Sequence, residues 1–362
     1  MSTVWIAVVV VLLAFGQTLY YHRRGLRRVQ YARHFSRDRV FAGEEVELTE
    51  VLSNDKLLPV PWVRVESRIS SRLQFQRQEN LNIAMDLFHK SMFFLGSYSK
   101  ITRRHRILCT RRGYYDCSLV SIVAGDLFGL AHDRTDCRTQ AKLMVYPPIL
   151  SQDELPDAAL KWQGDVTARR WILPDPILVT GIRDYRSGDP QRDVHWGATA
   201  RTGKLQVKQR DYTVSPRAML VLNCQISPRL MGGMEPDQIE LIENGVTMAA
   251  SLASWCVRSG VDVGFMSNGE NQMNEGVTVY VEPRCSEAHL DRILTELSLL
   301  RIKMVLGIET MLDKQLKAGL TDMDLLILSP YWDDGLELRA QQLRRQNNSV
   351  TWLPIREGVN PS

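Results

Sequence analysis

Metal and redox signatures are missing from these 362 residues. The six cysteines, Cys109, Cys117, Cys137, Cys224, Cys256 and Cys285, form no Cys-x-x-Cys pair, and the seven histidines form no His-x-x-x-His or His-Glu-x-x-His. Zinc centres need such spacings, so none is expected. Scattered cysteines in so long a chain read as reduced core residues rather than a disulfide framework. Long apolar runs are also absent, with one exception, which excludes a polytopic membrane protein. Strong net charge is lacking as well, at +4. No aromatic interleaving or recognition-helix pattern accompanies the basic residues, so nucleic acid is not an expected partner. What is present, 44% hydrophobic and 24% charged residues, is an ordinary globular mixture with room for two or three domains.

The exceptional run is Val4–Leu19, uncharged, with Trp5 at one end and Tyr20-Tyr21 at the other. It reads as a membrane-spanning helix over residues 1–21 with aromatic interfaces. A cleaved signal peptide at Ala14-Phe15-Gly16 would need a positive segment before the apolar run, and none exists. The positive charge follows instead: Arg23, Arg24, Arg27, Arg28, Arg33, Arg37 and Arg39 against Asp38 alone. Without that stretch the chain carries 38 basic and 40 acidic residues. Arginines flanking a span stay in the cytoplasm. The expectation is a single-pass cell-membrane protein with its later domains in the cytoplasm. Residues 4–21 and the arginines of the basic segment 22–40 would meet the bilayer.

Residues 41–148 alternate apolar and polar positions. Val46 and Leu48 mark a strand over 41–52, with an irregularity before Val51, and further strands are predicted at 60–65, 97–101, 106–110, 119–123 and 142–146. Short strands separated by turns imply a β-sandwich of Ig-like type. Residues 216–362 read differently. Ala218–Asn223 is a buried parallel strand, and Ile239, Ile242, Val246, Ala249, Ala253 and Cys256 set a helix over 236–258. Strands at 261–265, 324–328 and 349–353 alternate with helices after Ser286 and from Gly335. That order implies a doubly wound α/β domain.

Between them, residues 149–215 hold the densest charged segment. Arg183, Arg192 and Arg201 stand close enough to Asp184, Asp189 and Asp193 for bidentate pairing. Ser187–Pro190 is a turn, a short helix begins near Asp193–Trp196, and Leu205–Lys208 is a strand. Gly197 and Gly203-Lys204-Leu205 imitate a phosphate-binding loop but fail its spacing and lack the hydroxyl after lysine. Ser187, Asp193 and His195 can be drawn as a hydrolytic triad, which geometry must decide. An Arg/Asp network, structural or docking, is the simpler reading.

Arg183, Tyr185, Gly188-Asp189, Arg192, Trp196, Ala200-Arg201 and Leu205-Gln206-Val207-Lys208 resemble the hallmark of the bacterial family known as domain of unknown function 58. Thr199 stands where that family usually has Ser, and Asp211 where it has Glu. Arg111-Arg112-Gly113-Tyr114-Tyr115, Gly125–Leu130 and Val145-Tyr146-Pro147 fit the same pattern. The resemblance implies a von Willebrand factor A-like domain at the C-terminus. It also implies partnership with a MoxR-type AAA+ ATPase and other membrane proteins, in assembly or envelope maturation rather than catalysis. Such domains often hold a divalent cation through Asp-x-Ser-x-Ser. The corresponding residues here are Asn223, Gln225 and Ser227, without a carboxylate, so neither a metal nor another cofactor is expected. A hydrolase around Asp193 and His195, or a metal-dependent A-type domain, is the alternative.

Overall fold

Period-two burial organises the first part of the chain and three-to-four-residue periodicity much of the second. The computed structural model describes residues 2–75, 88–125, 132–172, 179–186, 189–210, 216–228 and 234–356. They form two units, 1–148 and 149–362. Residues 149–215, expected as a region of their own, thus belong with the α/β part.

The first unit opens with helix α1 (Ser2–Arg24). Strands β1 (Val29–Phe35), β2 (Arg39–Phe41), β3 (Glu45–Asn54), β4 (Val60–Arg68), β5 (Leu73–Phe75) and β6 (Phe88–Leu95) follow. The unit ends with β7 (Lys100–Cys109), β8 (Gly113–Asp116), β9 (Leu119–Gly125), β10 (His132–Arg138) and β11 (Lys142–Tyr146). One antiparallel sheet has the order β1-β3-β7-β5, a second β10-β9-β4-β6, and a small third sheet β2-β11-β8. Leu52 of the first sheet packs with Val63, Val65, Phe93 and Ile122 of the second. Phe35, Leu48, Ile107 and Ile69 form another apolar cluster with Leu143 and Val145 of the third sheet. This is a β-sandwich.

The expected membrane anchor is not found: among the described residues, no helix is long and apolar enough to cross a membrane. The turn after Leu19 is committed to the sandwich. Tyr21 is buried and its hydroxyl donates to Pro59 O at 2.6 Å. Lys56 Nζ donates to Gly25 O, and Leu26 N–H to Asp133 Oδ2 at 3.0 Å. The basic segment is not a uniform collar either, because part of it is strand β1, whose alternation turns Arg33 inward to 1% exposure.

Arg33 belongs to a polar layer lying along the strands between the two apolar clusters. Its Nη1 donates to Ser67 Oγ at 2.8 Å, and its Nε lies 3.5 Å from Glu50 Oε1. Glu50, also 1% exposed, accepts from the Tyr31 hydroxyl at 2.9 Å and sits 3.1 Å from His105 Nε2. Burial first, then the Glu50 charge, raises the Tyr31 pKa. The same layer explains why the strands predicted at 97–101 and 106–110 are one strand, β7: His105 faces inward toward Glu50, so the polar link between them is part of the pleat. At the end of β9, a Cβ on Gly125 would come within 2.1 Å of the Trp62 ring, so only glycine admits that ring; residues 126–130 of this motif lie outside the described residues.

The second unit contains α2 (Asp157–Ile172), β12 (Val179–Asp184), α3 (Trp196–Thr202), β13 (Gln206–Arg210), β14 (Arg217–Leu222), α4 (Pro236–Arg258) and β15 (Asp262–Asn271). It continues with β16 (Asn274–Arg284), α5 (Glu287–Leu299), β17 (Leu300–Met304), α6 (Ile308–Ala318), β18 (Asp324–Ser329), α7 (Asp334–Arg345) and β19 (Ser349–Pro354). The main sheet runs β16-β15-β14-β18-β19, with β17 also pairing β15. β14, β15, β18 and β19 are parallel, whereas β16 and β17 are antiparallel to β15. Met219, Val221, Leu325 and Ile327 pack against α6 and α7 through Met311, Leu312, Leu336 and Leu343. On α4, Gly245 lies against Leu222 and Ile355, where a Cβ would come within 2.9 and 2.6 Å. β12 and β13 form a separate antiparallel pair.

Candidate functional site

The charged segment folds onto the β12–β13 pair. A 3-10 turn at Gln191–Asp193 leads into α3, and Val194 bridges to Val207, both buried. His195 caps α3: its Nδ1 accepts from Ala198 N–H at 3.0 Å. Gly203 closes the helix at φ 66°, the left-handed conformation that favours glycine.

Arg183 and Asp189 make a planar bidentate pair, Nη1 to Oδ2 and Nη2 to Oδ1, both at 2.8 Å. Asp189 Oδ2 also accepts Arg186 N–H at 2.8 Å. The guanidinium, then this backbone donor, hold the Asp189 carboxyl at a pKa of about 2. A depressed carboxyl stabilises the fold fully above its unfolded value near 3.8, and that contribution fades as pH falls through the folded value. A carbon-detected NMR titration should therefore find Asp189 still ionised at pH 3 in the folded chain, and midpoint titration near 4 would contradict the pairing.

Among the described residues, Arg192 and Arg201 stand exposed with no carboxylate partner, while Lys208 is half-buried opposite Ile182. Trp196 is 69% exposed and Tyr185 38% exposed. Gly188 and Ser187 lie outside the described residues, as does Asp211. Asp193 and His195 do not assemble as a triad. A triad histidine donates from Nδ1 to the carboxylate, whereas His195 Nδ1 is an acceptor occupied by the helix cap.

The residue that sequence reasoning missed is Gln206. It is buried, its Nε2 donates to Asp184 Oδ1, its N–H donates to Thr199 Oγ1 at 3.0 Å, and its carbonyl accepts His195 N–H at 2.7 Å. Threonine at 199 keeps the hydroxyl that this bond requires. The only signal was Gln206's place at the start of a strand.

A second polar assembly closes the C-terminal end of the parallel strands. Asn223 Oδ1 accepts from Gln225 N–H and Asn268 Nδ2, each at 3.0 Å, and its Nδ2 donates to Ser329 Oγ at 3.0 Å. Asn268 Oδ1 accepts Cys224 N–H at 2.7 Å. Gln225 Nε2 reaches Ser227 O at 3.0 Å. Burial, the largest cause, raises the pKa of the nearby Tyr331. Neutral amides thus bond one another beyond the end of β14, with no carboxylate among these bonded groups. Among the described residues, no three His, Cys, Asp or Glu side chains gather as a metal site. Asn223 follows β14, Asn268 lies within β15 and Ser329 ends β18, so the assembly draws on separate strands that no linear motif links.

No curated protein matches the chain. Among solved structures, a CARDB domain from Pyrococcus furiosus is 13% identical, covering 31% of this chain and 93% of that one, with a TM-score of 0.19. A non-cellulosomal cohesin from Archaeoglobus fulgidus is 9% identical over 34% of this chain and 94% of its own, TM-score 0.22. A cohesin–dockerin complex from Clostridium thermocellum gives 7% identity, 32% and 99% coverage, and a TM-score of 0.23. Residues 181–353, which begin at the β12–β13 signature and end in β19, match the family model described as Protein of unknown function DUF58, consistent with a domain of that family.

Proposed function

We propose that the chain is a non-catalytic interaction protein whose signature module docks a MoxR-type AAA+ ATPase during assembly of other proteins. The ATPase enters through the family resemblance. The observation that carries a docking role is Trp196, 69% exposed on α3, with Arg192 and Arg201 exposed on the same short module. Tryptophan and arginine are the residues most often found as binding anchors. The bidentate pair and the Gln206 bonds hold this module in shape, and Trp196, Arg192 and Arg201 face solvent instead of converging on a reacting atom. The strand order, with β14 flanked by parallel β15 and β18, supports the von Willebrand A-like reading. The neutral Asn223 and Gln225 favour a metal-free mode of binding.

The test uses purified full chain and a MoxR-type ATPase from the same genome, with and without ATP. Trp196→Ala is expected to weaken binding at least about tenfold, with an unchanged melting temperature. Failure of the parent chain to bind in either nucleotide state defeats the reading.

A further inference from the structure

The outer face of the β1-β3-β7 part of the sandwich carries an ordered polar row. Burial alternates along these strands, so Gln30, Ser53 and Lys100 face outward, and the register sets Gln30 opposite Ser53 and Ser53 opposite Lys100. The next outward row, Ala32, Val51 and Thr102, is short and forms a low floor. Gln30, Ser53 and Lys100, with Ala32 and Val51, border a cavity of about 480 Å³, completed at the loop end by Asp55 and Tyr98.

Tyr98 is the unusual member. Its φ is 45°, a left-handed conformation that a bulky residue rarely adopts, and its side chain is 69% exposed. Such strain persists only where the surroundings over-determine it. Here Tyr98 N–H donates to Lys56 O at 3.1 Å, and Asn54 N–H to Ser99 O at 2.8 Å. The fully buried Asn54 also donates from Nδ2 to Gly96 O at 2.7 Å, and Ser99 Oγ donates to the same carbonyl at 2.9 Å. These bonds fix the loop's backbone while the aromatic side chain is left in water beside the polar row.

We propose that this groove binds a pyranose oligosaccharide. A pyranose ring has a face of C–H groups, which stacks on the electron-rich face of an aromatic ring, and a rim of hydroxyls that donate and accept. Asp55 accepts, Lys100 donates, and Gln30 and Ser53 do both. A purely apolar ligand would strip water from this row without replacing its hydrogen bonds. A simple anion would find Asp55 among its neighbours. The cavity volume falls in the range of small-molecule sites, about 300–1,000 Å³. The site is independent of the ATPase docking surface proposed above.

Isothermal titration of the purified full chain with cellotetraose, maltotetraose and chitotetraose tests it. At least one tetrasaccharide should bind. For that ligand, Tyr98→Ala should weaken affinity about tenfold or more, Tyr98→Phe should retain it because the stacking face survives, and Lys100→Met should weaken it. Thermal melts of all three variants should match the parent, since these side chains are exposed. Absence of heat with every tetrasaccharide at millimolar concentration overturns the proposal, as does a Tyr98→Ala chain that binds like the parent.

Discussion

Replacing Glu50 by leucine is expected to cost the β-sandwich unit about 3–5 kcal/mol. The mutation does more than remove one contact. Arg33 keeps its charge, is 1% exposed, and retains only the Ser67 hydroxyl among the partners described above. Water cannot replace the lost carboxylate without opening the sandwich, and Tyr31 and His105 lose their shared acceptor as well. The double replacement Arg33→Met with Glu50→Leu should recover most of the loss, because a buried ion pair exchanged for apolar groups of similar volume is often neutral or stabilising. Hydrogen exchange resolved to β3, β4 and β9 under denaturant reads the local stability without interference from the α/β unit. A Glu50→Leu chain within about 1 kcal/mol of the parent would refute the role given to the layer.

Asn223→Leu should destabilise the α/β unit by about 2–4 kcal/mol. Leucine has nearly the same shape, so the loss comes from polar groups left without partners: the Gln225 N–H, the Asn268 amide and one bond of the Ser329 hydroxyl. Asn223, Asn268 and Ser329 are all fully buried, so none of these groups regains a bond from bulk water. Because they belong to one network, Asn223→Leu and Asn268→Leu should be strongly non-additive, the second costing much less in the background of the first. Additive losses in a double-mutant cycle, measured by denaturant unfolding, would show that the network is not a unit.

Legibility followed the strength of each periodic pattern. Ile239, Ile242, Val246 and Ala249 announced α4 because one face of that helix is continuously apolar, and Ala218–Asn223 announced β14 because that strand is buried on both faces. β1 was illegible for the opposite reason. Its Arg33 read as part of a charged flank, although a charge can face inward when its partner arrives from another strand. The irregularity inferred before Val51 has the same origin. β3 is regular, with Val46, Leu48, Glu50 and Leu52 all inward, and the apparent break was a paired carboxylate. β10, the polar strand His132–Arg138, had no apolar alternation to reveal it. In the signature, the pairing of Arg183 with Asp189 followed from charge and spacing. The links of the Gln206 backbone and the His195 cap did not, since backbone donors leave no trace in residue type.

The Arg33–Glu50 pair also limits how this chain can misfold. Side chains in a strand repeat every two residues, so sliding β1 by two positions against β3 would keep every apolar residue facing inward. Such a slip would set Tyr31 or Phe35 opposite Glu50, in place of the observed Arg33. Hydrophobic burial alone hardly distinguishes these arrangements, but either one strands a carboxylate in the interior. One buried charge on each strand therefore selects a single alignment from a set that the apolar pattern leaves nearly equal.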